Sequence, residues 1–83
     1  MKGRDVMPKT ITIDLHTHTA ESARKLLTSR LKSLPKDVNE VVIIHGYNGG
    51  TVLRDMVRSY KNPRIERKII GLNMGETIFV IKG

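Results

Sequence analysis

The first apolar pattern in the chain alternates with polar positions. In residues 10–15 every second side chain is apolar, and these are Ile11, Ile13 and Leu15. Because successive side chains of a β-strand point to opposite faces, this alternation predicts a half-buried strand. The polar face of the strand ends in Asp14, and it includes His16 if the strand extends that far.

A helix is predicted directly after this strand. Thr19 is a suitable N-cap, and Glu21 lies in the first turn, where the helix dipole favours an anion. Apolar residues then recur at the spacing of one helical face, at Ala20, Ala23, Leu27, Leu31 and Leu34. Pro35 ends the helix.

The next apolar segment is unbroken. Residues 41–44 read VVII, which is typical of a strand that is buried on both faces and lies in the centre of a sheet. The strand ends at His45 and leads into GYNGG. A helical crossover connects it to the first strand, so we expect the two strands to run parallel.

A second helix is predicted to begin near Gly50 or Thr51 and to end at Asn62-Pro63. Its apolar stripe consists of Leu53, Met56, Val57 and Tyr60. A basic stripe lies beside it and consists of Arg54, Arg58 and Lys61. Residues 64–70 and 77–81 are predicted to form two further strands, joined by the turn-forming sequence GLNMG.

The predicted order of elements is therefore β-α-β-α-β-β. A chain of 83 residues is long enough for one domain with a single two-layer core. Residues 1–9 carry mixed charges and a proline, and we assign them to a flexible N-terminal arm. Residues 10–83 form the predicted domain.

The charge balance points to a partner. The chain contains fifteen Lys and Arg residues and eight Asp and Glu residues, which gives a net charge of +7. Such an excess on a small domain predicts a polyanionic partner, usually nucleic acid. The chain has two Tyr, one Phe and no Trp, which argues against a base-stacking platform.

Cysteine and apolar content limit the class of protein further. The chain has no cysteine, which excludes disulfides and thiolate metal sites. No apolar run follows the basic residues at the N-terminus, and no segment has the length of a membrane span. We therefore predict a cytoplasmic protein without a membrane partner.

Three residues with acid–base chemistry lie at the ends of the first two strands. Asp14 and His16 end the first strand, and His45 ends the second. Parallel strands bring their carboxyl ends to one edge of the sheet, which is where ligands bind in open α/β folds. We therefore predict that the three side chains converge. The alternative for each histidine alone is a structural hydrogen-bonding residue.

The loop HGYNGGTVLR has the properties of an anion site. Gly46, Gly49 and Gly50 let backbone amides approach a phosphate, the following helix N-terminus adds positive potential, and Arg54 lies in the first turn. Together with Arg58 and Lys61 they form the predicted nucleic-acid-binding set. The loop is not a P-loop, because no Gly-Lys-Ser/Thr follows it. Its alternative reading is a turn in which Gly supplies a positive φ.

These motifs resemble those of the Smr domain, the small MutS-related family. Its opening motif, Leu-Asp-Leu-His-Gly followed by Thr-x-x-Glu-Ala, is similar to IDLHTHTAESA, with matches at Asp14, Leu15, His16, Thr19 and Ala23. Its second motif, His-Gly-x-Gly-x-Gly-x-Leu-Arg, is similar to HGYNGGTVLR, with matches at His45, Gly46, Gly50, Leu53 and Arg54.

The resemblance extends from about residue 10 to the end of the chain. The closing strand of the family, Gly-x-Thr-x-Val, is similar to GETIFVI. Two positions depart from the family pattern. Thr17 stands where the family has glycine, and the glycine-rich loop is one residue longer.

The resemblance implies a fold and a function. The fold is a two-layer α/β sandwich with a four-stranded mixed sheet and two helices on one face, similar to the C-terminal domain of translation initiation factor three. The function is nucleic-acid binding, with DNA-nicking or RNA-cleaving activity in some members. Members occur alone and as domains of MutS-like or larger RNA-binding proteins, so a ribosome or a MutS-like protein is a further candidate partner.

A cleavage mechanism assigns roles to the predicted site. One of His16 and His45 takes a proton from the attacking water or 2′-hydroxyl, and the other protonates the leaving oxygen. Asp14 orients or polarises a histidine. Arg54 and the loop amides stabilise the pentavalent phosphate.

Other readings remain open. The domain is alternatively a non-catalytic nucleic-acid or ribosome-binding module, or a protein-interaction module. The sequence DLHTHT also resembles the opening metal-binding motif of PHP-family phosphoesterases, but their barrel needs a far longer chain and more than three histidines. We predict no metal and no cofactor, although Asp14, His16 and His18 leave open a site for a divalent ion.

Overall fold

The computed structural model describes residues 9–46, 51–70 and 75–82. Within these ranges the elements are β1 (Lys9–Asp14), α1 (Ala20–Lys32), β2 (Val38–Ile44), α2 (Val52–Ser59), β3 (Ile65–Ile70) and β4 (Glu76–Ile81). This order confirms the predicted β-α-β-α-β-β arrangement. The predicted N-terminal arm lies outside the described residues, except for Lys9, which is the first residue of β1.

The strands form one mixed sheet in the spatial order β1-β2-β4-β3. β1 and β2 run parallel, and Asp14 is aligned with Ile44. β4 runs antiparallel to both β2 and β3. The predicted parallel crossover and the predicted central position of β2 are both confirmed. The carboxyl ends of β1 and β2 therefore lie side by side at one edge of the sheet.

Both helices pack on one face of this sheet and share a single hydrophobic core with it. The stripe of α1 buries Ala23, Leu27 and Leu31, and that of α2 buries Met56 and Val57. The sheet contributes its inward-facing side chains, which are Ile13, Val41, Ile43, Phe79 and Ile81. The predicted two-layer sandwich is thereby confirmed.

The prediction that residues 41–44 are buried on both faces is wrong. Val41 and Ile43 are fully buried beneath the helices, whereas Val42 and Ile44 on the other face are only partly buried. The difference arises because the helices cover one face only. The unbroken apolar run indicates a central strand here, but not a second covering layer.

The helix ends follow ordinary capping rules. Thr19 is the N-cap of α1, as predicted, and its side chain accepts a hydrogen bond from the Ser22 amide at 3.2 Å. At the other end of α1, Arg64 donates to the Leu31 carbonyl at 2.7 Å, which places a cation at the negative end of the helix dipole. Neither described helix is long and apolar enough to cross a membrane.

Candidate functional site

The ends of β1 and β2 stay in contact beyond the last paired residues. The Leu15 amide donates to the Ile44 carbonyl at 2.7 Å, which continues the alignment of Asp14 with Ile44. One step further, a Cβ placed on Gly46 would lie 3.3 Å from the Cβ of His16. The chain leaves β1 and β2 at adjacent points, and His16 rests against the start of the glycine-rich loop.

Asp14 and His16 form a hydrogen-bonded pair on the surface. One oxygen of Asp14, Oδ1, accepts from the His16 amide at 3.0 Å and also from the His16 ring nitrogen Nδ1. A carboxylate only accepts, so Nδ1 carries the proton and Nε2 of the neutral ring keeps its lone pair. The His16 side chain is 56% exposed. The pair therefore presents an oriented basic nitrogen to solvent.

The same contacts keep Asp14 ionised. The hydrogen bond from the His16 side chain lowers the pKa of Asp14, and the bond from the His16 amide lowers it further. His18 adds a smaller electrostatic contribution in the same direction. The carboxylate is thus charged at neutral pH.

His45 lies in a different environment. It is only 4% exposed, and both ring nitrogens are used inside the protein. Nδ1 donates to the Gly46 carbonyl at 3.0 Å, and Nε2 accepts from the Thr77 hydroxyl at 3.0 Å. Thr77 is fully buried. The two hydrogen bonds fix the orientation of the ring, which connects β2 to β4.

The structure brings Asp14 and His16 together but does not bring His45 to them. Asp14 is aligned with Ile44 on the uncovered face of the sheet, and side chains alternate between faces along a strand. His45, one position further, points to the helix-covered face, where it meets Thr77. The predicted convergence of all three side chains is wrong, because the register places the two histidines on opposite faces.

Gly46 occupies a position that requires glycine. Its φ is +76°, in the left-handed region that other residues adopt at a cost, so the positive φ considered for this loop is confirmed at Gly46. The amides of His45 and Gly46 both donate to the Gly75 carbonyl, at 2.9 and 3.0 Å. These bonds fix the start of the glycine-rich loop against the start of β4.

The predicted binding residues are only partly described. Gly49 and Gly50 lie outside the described residues. Arg54 lies in the first turn of α2 and donates to Asp55 at 3.4 Å. Arg58 and Lys61 are exposed. The first described residue after the loop, Thr51, is the N-cap of α2, and its side chain makes no cap hydrogen bond.

His18 belongs to the start of α1. Its Nδ1 lies 3.0 Å from the hydroxyl of Ser22, one turn into the helix. In the described parts of the chain, no three His, Cys, Asp or Glu side chains lie close enough together to hold a metal ion. Asp14 and His16 are instead bonded to each other, which leaves the predicted metal alternative without a described set of ligands.

Thr77 is a site residue that sequence reasoning missed. Its hydroxyl is the partner that fixes the ring of His45. A signal for it exists, because Thr77 is a polar residue at an inward-facing position of the apolar strand β4. The motif Gly-x-Thr-x-Val contains it, but only the register of β2 against β4 connects Thr77 with the end of β2.

Comparison with known protein families gives a match to the Smr domain over residues 13–70, which is more than half of the chain. The match confirms the resemblance that the motifs predict, and it supports a nucleic-acid-binding or nuclease-like domain. Comparison with curated proteins and with solved structures gave no significant match.

Proposed function

Because this chain belongs to the Smr domain family, we propose that it binds nucleic acid and cleaves its phosphodiester backbone with the Asp14–His16 pair. The observation that supports cleavage most directly is the geometry of this pair. A carboxylate fixes the proton on Nδ1 of an exposed histidine, so that Nε2 is free to act as a base. The same arrangement prepares the histidine of hydrolytic enzymes for proton transfer.

The proposed reaction needs one proton carrier. Nε2 of His16 removes the proton from an attacking water or 2′-hydroxyl while the new O–P bond forms. The bond to the leaving oxygen then breaks, and the His16 imidazolium returns the proton to that oxygen. Asp14 stabilises the imidazolium that exists between these two steps. One proton thus moves from the attacking oxygen to the leaving oxygen through His16, and no oxidant or reductant takes part.

His45 takes a positioning role in this proposal. Its two ring nitrogens are already bonded to Gly46 and Thr77, so neither is free to exchange a proton with substrate. Through its bond to the Gly46 carbonyl the ring fixes the start of the loop beside His16. We therefore assign His45 and Thr77 to the support of the site and not to proton transfer.

Positive charge supplies the electrostatic part of the site. Arg54 and the first turn of α2, to which the Thr51 side chain provides no cap, follow the glycine-rich loop directly. A helix N-terminus and a guanidinium both favour a phosphate, and both stabilise the extra charge of the pentavalent state. The net charge of +7 attracts the polyanion as a whole.

A second candidate function is non-catalytic binding of nucleic acid. The exposed basic residues Arg58 and Lys61 favour it independently of the acid–base pair, because they bind phosphate without any chemistry. A ribosome or a MutS-like protein is a partner consistent with this alternative. In that case Asp14 and His16 contact a phosphate and do not cleave it.

A nuclease assay separates the two functions. Supercoiled plasmid and structured RNA are incubated with the wild-type chain and with His16→Ala, with and without a chelator, and binding of both substrates is measured in parallel. Cleavage that disappears in His16→Ala while binding persists supports the proposal. Binding without cleavage of either substrate under all conditions leaves the non-catalytic alternative, and the absence of binding contradicts both.

A further inference from the structure

A groove lies beside β3, the outer strand on the opposite side of the sheet from β1 and the Asp14–His16 pair. It has a volume of about 330 Å³ and is formed by residues 60–62 and 65–68. It runs between the segment that follows α2 and the edge strand β3. β1 and β3 are the two outer strands, so the groove and the pair are about three strand spacings, or ~14 Å, apart across the sheet. The groove also lies further along the strands, because Asp14 is level with Glu76 of β4 whereas Lys68 is level with Phe79.

The groove carries an excess of positive charge. Lys61, Arg67 and Lys68 line it, and Glu66 is the one acid among its lining residues. In the described part of the chain, Lys61 and Arg67 form no ion pair with any acid. Their charges are therefore available to an external anion. Arg58 lies one turn back along α2 and is also exposed.

Lys68 is a fixed cation within the groove. Its ammonium donates to the Arg58 carbonyl at 2.7 Å and to the Tyr60 carbonyl, at the C-terminal end of α2. It also lies 5.8 Å from the centre of the Phe79 ring. Burial and the nearby charge of Lys61 lower the pKa of Lys68. Lys61 and Lys68 are thus close enough to repel each other.

We propose that this groove binds the phosphodiester backbone of the nucleic acid whose other part lies at the Asp14–His16 pair. The inference rests on the proposed function. Arg54 and Arg58 are one turn apart on α2 and Lys61 follows at the groove, so a row of basic residues leads from the groove along α2 toward its N-terminal end. A continuous polyanion matches a path of this kind, and it matches it better than a folded acidic protein does.

The contact is made to the backbone and not to the bases. Tyr60 is the aromatic residue at the groove, but it is buried and stacked on Phe79 with ring centres 6.2 Å apart. Its hydroxyl is bonded to Thr28. With no free aromatic face among the described residues of the groove, binding depends on phosphates and is independent of base sequence.

The test is a binding titration with a labelled single-stranded oligonucleotide of about 20 nucleotides, repeated over a series of salt concentrations. Lys61→Glu and Arg67→Glu are compared with Lys36→Glu, which makes the same charge change at an exposed residue just before β2. The neutral variants Lys61→Gln and Arg67→Gln and a thermal unfolding curve for every variant exclude misfolding. An acidic polyglutamate peptide is titrated as a second probe.

We expect each groove reversal to weaken oligonucleotide binding roughly tenfold and to reduce the slope of log affinity against log salt by about one. Lys36→Glu should change the affinity about twofold at most. If all three charge reversals weaken oligonucleotide binding equally, the proposal that the groove binds the backbone is wrong, but the proposed function is not contradicted. Groove variants that lose only the peptide indicate an acidic protein partner and also overturn the proposal for the groove. Absence of oligonucleotide binding by the wild type contradicts the proposed function itself.

Discussion

Two histidines at neighbouring strand ends have opposite environments in this domain. His16 follows β1, is more than half exposed and has one ring nitrogen directed to solvent. His45 follows β2, is almost fully buried and has both ring nitrogens bonded within the protein. The two residues have the same chemistry and lie at the same edge of the sheet, yet only the side chain of His16 is exposed.

The difference comes from the pleat of the sheet. Asp14 is aligned with Ile44, so the residues at even positions here face away from the helices. His16 follows Asp14 by two positions and stays on that side, whereas His45 follows Ile44 by one. A histidine at a strand end is therefore a candidate for catalysis only after its face is known, and a shift of one residue exchanges the two roles.

The largest expected effect distinguishes the histidines by activity. His16→Ala removes the only proton carrier of the proposed site, so the cleavage rate should fall by about 10²–10⁴-fold. The free energy of unfolding should change little, because the side chain is exposed. Single-turnover cleavage and urea unfolding of the same preparation measure both quantities. A large loss of stability without a change in rate would reverse the roles assigned here.

The next effect concerns stability and is expected for His45. His45→Ala leaves a cavity and removes two internal hydrogen bonds, so the free energy of unfolding should fall by about 2–4 kcal/mol. Any loss of cleavage should follow from the loss of structure and should diminish at low temperature. Urea unfolding at several temperatures, together with the cleavage rate, measures this.

Thr77 provides the matched control for the His45 prediction. Thr77→Val keeps the shape of the side chain but leaves Nε2 of His45 without a donor, at a cost of about 1–2 kcal/mol. Thr77→Ser keeps the hydroxyl and should preserve the ring nitrogen chemical shifts of His45, which Thr77→Val should change. Identical His45 shifts in both variants would contradict the hydrogen bond as the cause.

A smaller effect is expected at Gly46, which is bonded to His45 and lies beside His16. Gly46→Ala forces a side chain into a positive φ and places its Cβ against His16, so it should cost about 1–2 kcal/mol of stability. A double-mutant cycle with His16→Gly separates the two causes. If the contact contributes, Gly46→Ala costs less when His16 has lost its Cβ. An unchanged cost assigns the whole effect to the backbone.

The sequence predicts the face of the sheet on which Asp14 lies, but not the face on which His45 lies. In residues 10–15 polar and apolar side chains alternate, so the face of Asp14 follows from the alternation alone. Residues 41–44 are all apolar and carry no such alternation. The face of His45 is then undetermined, and it depends on a register that only the folded sheet provides.

The same limit explains why sequence patterns predict the fold but not the role of Thr77. The elements follow from local patterns, such as the Thr19 cap and the apolar stripes of both helices. The His45–Thr77 bond joins residues 32 positions apart, across a pairing between β2 and β4 that no local pattern encodes. The groove beside β3 depends likewise on which strand lies at the edge of the sheet.

A still smaller effect is expected from the pH dependence of stability. The folded pKa of Asp14 is below its ordinary value of 3.8, so the unfolded chain binds its proton first as the pH falls. The stabilisation by Asp14 is present above that value and is lost as the pH falls through the folded pKa. The difference in stability between wild type and Asp14→Asn should therefore shrink as the pH falls below about 4. Urea unfolding across this range is the measurement, and a difference that does not vary with pH would show that the Asp14–His16 bond contributes nothing to folding.

The smallest effect is expected for the third histidine, His18. His18 contacts the Ser22 hydroxyl on the surface of α1, so His18→Ala should change stability by no more than about 0.5 kcal/mol and should leave the cleavage rate unchanged. The proton-transfer roles require this result, because His16 and Asp14 complete the pair without His18. A metal mechanism requires the opposite, since Asp14, His16 and His18 would then share one ion. If His18→Ala abolishes cleavage and an added divalent metal restores it, the pair acts as a set of ligands, and the exposed nitrogen of His16 binds a cation in place of a proton.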